Sequence, residues 1–210
     1  MEINTKDCYD FISSYYDEVF YSEFNEENLI ISLIIDYFIK TKNPKVVSEF
    51  GTGSGYWLKN FLENNVENIF AFDCSEKMLN ICKIKFKDTN ISFKNIDFTN
   101  TSLLIKNDLI LTAFFFDAID IKHFEDVIFG IKNSLNDGGI FIFVDNVPTD
   151  SKDFQELILS ENWAGKNINC KYNLYSFEFL IETFKKFNFD IIFKVKIGFD
   201  IQILVCKNNK

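Results

Sequence analysis

The chain has 210 residues, 47% apolar and 25% charged, a size and balance that suit one domain with a substantial core and exclude a low-complexity or disordered protein. Its 31 acids against 22 bases give a net charge of −9, and every base is a lysine, which argues against the basic, arginine-bearing surface of a nucleic-acid enzyme. The five cysteines are scattered, odd in number and without a C-x-x-C pair, so neither a disulfide framework nor a zinc site is expected, and no apolar run is long enough for a membrane span.

From its start, Met1-Glu2-Ile3-Asn4, the chain lacks the basic opening of a signal peptide, and a cytoplasmic location is expected. Tyr15, Tyr16, Phe20, Tyr21 and Phe24 then stand among acids, an aromatic segment whose rings can face a cation. An apolar-rich helix is predicted over 28–39, stopped near Asn43-Pro44, and 1–43 is read as an N-terminal helical region. A strand over 45–50 follows, then a helix over 56–63, a strand over 69–73 and a helix over 76–86 capped by Ser75. Strands are predicted over 91–95 and 109–114, and a helix over 124–134 ends in the turn Asn136-Asp137-Gly138-Gly139 before a strand over 140–145. Residues 147–174 show no clear periodicity and read as a long insertion on the substrate side, functional or mobile, with Trp163 and Tyr172 as candidate packing or binding aromatics. A helix over 177–187 and two strands, 190–196 and 200–207, joined across Ile197-Gly198-Phe199, complete the order; a tight hairpin makes these two antiparallel. The alternation predicts an α/β fold, a Rossmann-like three-layer sandwich whose seven-stranded sheet is mostly parallel with an antiparallel last strand, in a single domain over 1–210.

Within this order, Val46-Val47-Ser48-Glu49-Phe50-Gly51-Thr52-Gly53-Ser54-Gly55 runs an apolar strand into a carboxylate and three alternating glycines. A dinucleotide fingerprint fails, because Tyr56 stands at the third-glycine position counted from Gly51 and Leu58 does so counted from Gly53. A phosphate loop fails as well: no Gly-Lys-Ser/Thr follows, and Glu49 would repel a polyphosphate but attract an ammonium. Asp73 ends the next strand about twenty residues on, the usual place of a ribose-binding carboxylate. A cationic nucleoside, S-adenosylmethionine, suits both features.

These motifs, with Asn95-Ile96-Asp97-Phe98 after the third strand, Asp108-Leu109-Ile110-Leu111 at the fourth and Leu135-Asn136-Asp137-Gly138-Gly139 before the fifth, stand in an order that resembles the class I S-adenosylmethionine-dependent methyltransferases over about 9–207. The segment Tyr175-Ser176-Phe177-Glu178-Phe179-Leu180 through Phe187-Asn188-Phe189 is similar to the last helix and strand of the small-molecule, ubiquinone-biosynthesis-like type. The resemblance implies that Glu49 and the backbone at Gly51 and Gly53 hold the methionine part of the cofactor, and that Asp73 holds the ribose. It implies Asp97 at the adenine amino group with Phe98 against the ring, Cys74, Ser75 and Met78 on the adenine side, and Thr112, Ala113 and Phe114 beside the sulfonium. It also implies that the N-terminal region is a lid, so that Tyr15, Tyr16 and Tyr21, with Trp163, are candidates for the substrate.

Asp117 is the candidate orienting group or base, since relatives frequently carry His or Asp there. His123, the single histidine, is expected on the outer face of the helix it begins. Asp17, Glu18, Asp117 and Asp120 near the expected pocket favour a cationic acceptor, hence a small molecule methylated on nitrogen rather than oxygen. Two rival readings follow. In Ile140-Phe141-Ile142-Phe143-Val144-Asp145-Asn146, the pair Asp145 and Asn146 resembles the metal ligands of catechol-type O-methyltransferases, although the further acid expected near Thr112 is missing. The other is a non-catalytic methyltransferase-like binding subunit, against which Glu49, Asp73 and Asp97 all argue. The expected cofactor is S-adenosylmethionine alone, without a metal, in a monomer or homodimer that binds neither nucleic acid nor membrane.

Overall fold

The computed structural model describes residues 5–18, 25–99, 105–148, 152–163, 166–198 and 200–209. In chain order these form α1 (Thr5–Ile12), α2 (Asn25–Lys42), β1 (Val46–Phe50), α3 (Leu58–Glu63), β2 (Asn68–Asp73), α4 (Glu76–Lys85), β3 (Ser92–Asn95) and β4 (Asn107–Ala113). A short 3-10 turn (Phe116–Ala118) leads to α5 (Ile121–Ser134), β5 (Leu135–Asn146), β6 (Phe154–Trp163), β7 (Lys166–Tyr175), α6 (Phe177–Lys186), β8 (Phe189–Ile197) and β9 (Ile201–Asn208). No helix of the described residues is long and apolar enough to cross a membrane.

Seven of the strands make one sheet in the order β3-β2-β1-β4-β5-β9-β8. β9 runs antiparallel to both its neighbours, whereas the pairs from β3 through to β5 are all parallel. Burial on both faces is what the strand sequences require. In β5, Ile140, Ile142 and Val144 enter one apolar cluster with Ile31, Ile35 and Phe38 of α2 and Phe61 of α3. The alternate residues Phe141 and Phe143 enter another with Phe124 and Ile128 of α5 and Leu180 and Phe184 of α6. Two helical layers therefore sandwich the sheet, and chain order reverses between the adjacent strands β1 and β4, which opens a crevice at their carboxyl ends.

The expected elements are present, with three physical differences. The glycine segment winds through turns up to Trp57, so α3 begins at Leu58 rather than Tyr56. β5 begins earlier than expected because Leu135 already pairs with Asn107. The pairing resumes at Leu109 and Ile140, so the expected turn, with Gly138 at φ 73°, is a bulge inside the strand. The insertion is no irregular loop: β6 and β7 form a ten-rung antiparallel hairpin from Phe154↔Tyr175 to Trp163↔Lys166. Its periodicity is hidden because Ile158 and Leu159 are both exposed, and burial concentrates at the base of β7, in Cys170, Asn173, Leu174 and Tyr175. That base is held to the rest of the fold by Tyr175 Oη donating to the Ile119 carbonyl at 2.8 Å and by Gln202 Nε2 donating to the Tyr175 carbonyl at 2.7 Å.

Candidate active site

The floor of the crevice is the turn after β1. Gly51 has φ 69°, and a Cβ there would lie 2.5 Å from Phe115 Cδ2, so only bare backbone fits. Gly53 has φ 52°, and a Cβ on it would meet nothing closer than the Tyr16 ring at 3.8 Å. The Gly53 N–H donates to Asp73 Oδ2 at 2.8 Å, and the Thr52 N–H donates to the Phe72 carbonyl at 2.9 Å, so the turn is fastened to the end of β2. The other oxygen of Asp73 accepts the Ser75 N–H at 2.8 Å, while Ser75 Oγ caps α4 by accepting the Met78 N–H at 3.1 Å. Burial raises the Asp73 carboxyl, and the N–H groups of Ser75 and Gly53 oppose that rise.

Above this floor lies a cleft of about 440 Å³, lined by Gly51, Gly53, Asp73, Cys74 and Met78 together with residues of three further segments. That volume falls within the roughly 300–1,000 Å³ of small-molecule pockets. One wall is Asn95, Asp97, Phe98 and Thr99. Phe98 is stacked on Phe50 at 4.4 Å and meets Phe72 and Phe115 edge-on, so it is a rigid flat surface. Asp97 accepts the Thr99 N–H at 3.0 Å and the Thr99 hydroxyl at 2.7 Å. An adjoining wall is Phe114, Phe115, Ala118, Ile119, Asp120 and His123. Phe114 has φ 53°, a left-handed conformation that costs an aromatic residue about 1–3 kcal/mol, and its N–H is held by the Val144 carbonyl at 2.9 Å.

The roof comes from the N-terminal region, where Cys8, Ile12 and Tyr16, spaced four apart, face inward with Met78 and Cys170. Tyr9 and Tyr16 line the cleft with their rings edge-to-face at 6.1 Å. Two carboxylates fasten this roof. Asp10 accepts Ser75 Oγ at 2.5 Å and Lys6 Nζ at 2.8 Å, and Asp17 accepts both Ser54 Oγ and Lys85 Nζ. Asp117, 3% exposed in the 3-10 turn, is fixed through its backbone: its N–H donates to Asp145 Oδ2 at 3.2 Å and its carbonyl accepts Asn173 Nδ2 at 3.3 Å. Burial, and after it the charge of Asp117, raises the phenols of Tyr9 and Tyr16, which places that carboxylate within electrostatic reach of both rings.

Of the residues expected at the site, Gly51, Gly53, Asp73, Cys74, Met78, Asp97, Phe98, Phe114 and Tyr16 line one cleft. Four expected residues lie elsewhere. Glu49 is buried beneath the glycine turn, where its Oε2 accepts the Thr52 hydroxyl at 3.0 Å. Ala113 is buried at the end of β4, and the cleft surface passes to Phe114. Asp117 does not reach the cleft surface. Tyr15 is 42% exposed, because the turn after α1 directs it away from the face that carries Tyr16. Tyr21 and the side chain of Trp163 lie outside the described residues. His123 corrects the expectation of an outer-face position, since the 3-10 turn carries the start of α5 to the cleft. Asp120 lines the cleft as expected, 3.6 Å from Lys122 and 3.9 Å from Lys171, whereas Asp17 is not among the lining residues and is bonded to Ser54 and Lys85. Asp145 accepts the N–H groups of Phe116 (2.8 Å), Asp117 (3.2 Å) and Asn146 (2.8 Å), which makes it a clasp for the loop after β4. Sequence reasoning gave no role to Asn95, although it opens a quoted motif, and missed Lys6, Tyr9, Thr99, Phe115, Ala118 and Ile119, cleft residues without a motif of their own. Tyr9 alone had a signal, its place beside Cys8 and Ile12 on the inward side of α1.

A family model described as "Methyltransferase domain" matches residues 21–193. A comparison with curated proteins finds no match. Among solved structures, DhpI in an SAH complex is 17% identical, with a TM-score of 0.75 over 98% of this chain and 96% of that one. The N-methyltransferase NodS from Bradyrhizobium japonicum, in complex with S-adenosyl-L-homocysteine, is 14% identical, with a TM-score of 0.75 over 99% and 100% of the two chains. An S-adenosylmethionine-dependent methyltransferase from Clostridium acetobutylicum is 17% identical, with a TM-score of 0.72 over 97% and 100%. At these identities the likeness is one of fold.

Burial pushes the Glu49 carboxyl from its ordinary 4.5 up to about 8, against the Thr52 hydrogen bond that lowers it. A folded-state value above the unfolded one means that the group's contribution to stability is complete below the unfolded value and is lost as the pH rises through the folded one. Between about pH 6 and about pH 9 this amounts to roughly 2–3 kcal/mol. We therefore expect the Tm of the ligand-free protein to fall over that range and the fall to be shallower by several degrees in Glu49→Gln, measured by thermal denaturation. Parallel pH profiles in the two proteins would mean that Glu49 is ionised when folded.

Proposed function

Because the chain belongs to the methyltransferase-domain family, we propose that it transfers the methyl group of S-adenosylmethionine to a small-molecule acceptor, on nitrogen in preference to oxygen. The observation that carries this reading is the Gly51-to-Gly55 turn bonded through the Gly53 N–H to Asp73, beside the fixed face of Phe98. In that arrangement the bare backbone of Gly51 and Gly53 lets a ligand approach closely, as no Cβ intervenes. Asp73 faces the cleft as an acceptor for vicinal hydroxyls, and Asp97 with Phe98 offers an acceptor and a stacking surface to an adenine. Glu49, Asp73 and Asp145 are three buried carboxyls at the carboxyl end of the sheet, and a cationic ligand lowers the cost of ionising those nearest to it.

When bound, the sulfonium supplies an already activated methyl group, so the chain's task is alignment of the acceptor and exclusion of water. The roof of Tyr9 and Tyr16 performs the exclusion, and both rings present faces suited to a cation. Asp117, behind the cleft surface in the turn that Asp145 and Asn173 hold in place, is proposed to orient an acceptor amine through its charge, as a positioning residue behind Tyr9 and Tyr16. The preference for nitrogen rests on this carboxylate beside two tyrosines, and NodS, of like fold, is itself an N-methyltransferase. Metal-assisted transfer to a phenol is not the reading adopted, because Asp145 commits its oxygens to backbone N–H groups. Small-molecule chemistry in the cytoplasm, without a nucleic-acid partner, belongs to the same proposal and rests on the acidic, arginine-free composition.

Two measurements test this reading. Calorimetric titration should give a dissociation constant for S-adenosylhomocysteine on the order of 1–100 µM, and Asp73→Ala should weaken it by about tenfold or more, the cost of losing charge-assisted hydrogen bonds. No binding by the wild type would leave a non-catalytic subunit as the better description. With an acceptor in hand, Asp117→Asn should lower kcat by about tenfold or more while S-adenosylhomocysteine affinity stays within roughly threefold, the signature of a group that acts on the reaction rather than on the cofactor. Unchanged kcat in that variant would remove Asp117 from the chemistry.

A further inference from the structure

α2 carries two apolar faces, and the fold uses one. Ile31, Ile35, Phe38 and Ile39 are buried against the sheet. On the opposite side Leu29, Leu33 and Tyr37 are 60%, 59% and 61% exposed, and Ile30 beside them is 41% exposed. Their spacing of four places Leu29, Leu33 and Tyr37 in one line along the helix, an apolar seam where a surface helix normally turns polar residues outward. Tyr37 is held upright by an edge-to-face contact with Phe38 at 5.2 Å. The seam is bounded by exposed Glu26 in the first turn of the helix and exposed Lys40 in the last.

The pattern is symmetric about Leu33. Leu29 stands four residues before it and Tyr37 four after, while Glu26 stands seven before and Lys40 seven after. A second helix of the same sequence laid antiparallel, with a two-fold axis through Leu33, puts Leu33 on Leu33, Leu29 on Tyr37 and Glu26 opposite Lys40 at both ends. Parallel packing would set like charges against like, so the charge pattern selects the antiparallel, isologous arrangement.

We propose that this face is the interface of a homodimer built on α2 against α2 of a second copy. The interface lies on the outer surface of the helical layer, away from the cleft, and is independent of the methyltransferase reading. A single helix face is smaller than the roughly 800 Å² per partner of a standard interface, so the dimer is expected to be reversible, dissociating on the order of 10–100 µM.

Sedimentation equilibrium of the full chain over a concentration series tests this. The wild type should show a monomer–dimer equilibrium. Leu33→Glu, which brings two carboxylates together on the axis, should weaken it by at least about tenfold. Because the substituted side chain is exposed, the Tm of the variant at low concentration should match the wild type. Lys40→Glu should likewise weaken association, and Glu26→Lys combined with Lys40→Glu should restore it, a rescue that no loss of folding or generic stickiness can mimic. A monomer throughout, a dimer indifferent to Leu33→Glu, or a charge swap that fails to rescue would each overturn the proposal, the first two pointing to another occupant of the seam or another interface.

Discussion

The hydrogen bond from the Gly53 N–H to Asp73 is the constraint on which the site depends, because it joins the turn after β1, beside the β1–β4 crevice, to the end of β2. With it, Gly51 is held so close to Phe115 that no side chain fits, and Asp73 has one oxygen on the turn and the other on the start of α4. The roof then docks on the same pieces: Ser54 and Ser75, from the turn and the α4 cap, donate to Asp17 and Asp10. Floor and roof thus share their anchoring residues, which couples closure of the cleft to the geometry of its base.

The second organising feature is the way buried carboxyls are satisfied. Asp145, pushed up to about 7 chiefly by burial, is stabilised by N–H groups of the loop after β4, and through that bond the 3-10 turn carrying Asp117 is fixed beneath the roof. Glu49 has the Thr52 hydroxyl, a weaker compensation for a group 1% exposed. Acids differing this much in their partners have different work: Asp145 braces a loop and Asp73 ties the glycine turn to the start of α4, whereas Glu49, raised by burial to about 8, is a neutral acid under the floor of the cleft at pH 7.

Much of this was legible in the sequence because it depends on local rules. Short apolar runs buried on both faces wrote the central strands, Ser75 wrote a helix start, and the glycines with Asp73 wrote the crevice, since backbone angles and close approach restrict what can stand there. Tertiary placement was not written. Tyr15 and Tyr16 are adjacent and chemically alike, and only the docking of α1 decides which one sees the cleft. His123 faces the cleft because a 3-10 turn, rather than an extended loop, precedes α5. The β6–β7 hairpin escaped notice because, among its described side chains, Ile158 and Leu159 are both exposed and burial is confined to Cys170, Asn173, Leu174 and Tyr175 of β7, which leaves alternation little buried face to record.

The central claim is that one carboxylate, Asp73, organises both the floor of the cleft and the ligand bound above it. A crystal structure with S-adenosylhomocysteine tests this directly. The account predicts the ribose hydroxyls within hydrogen-bond distance of Asp73, the adenine against Phe98, and the Gly53 N–H still donating to Asp73. A ligand bound with Asp73 untouched, or with the adenine away from Phe98, would contradict it.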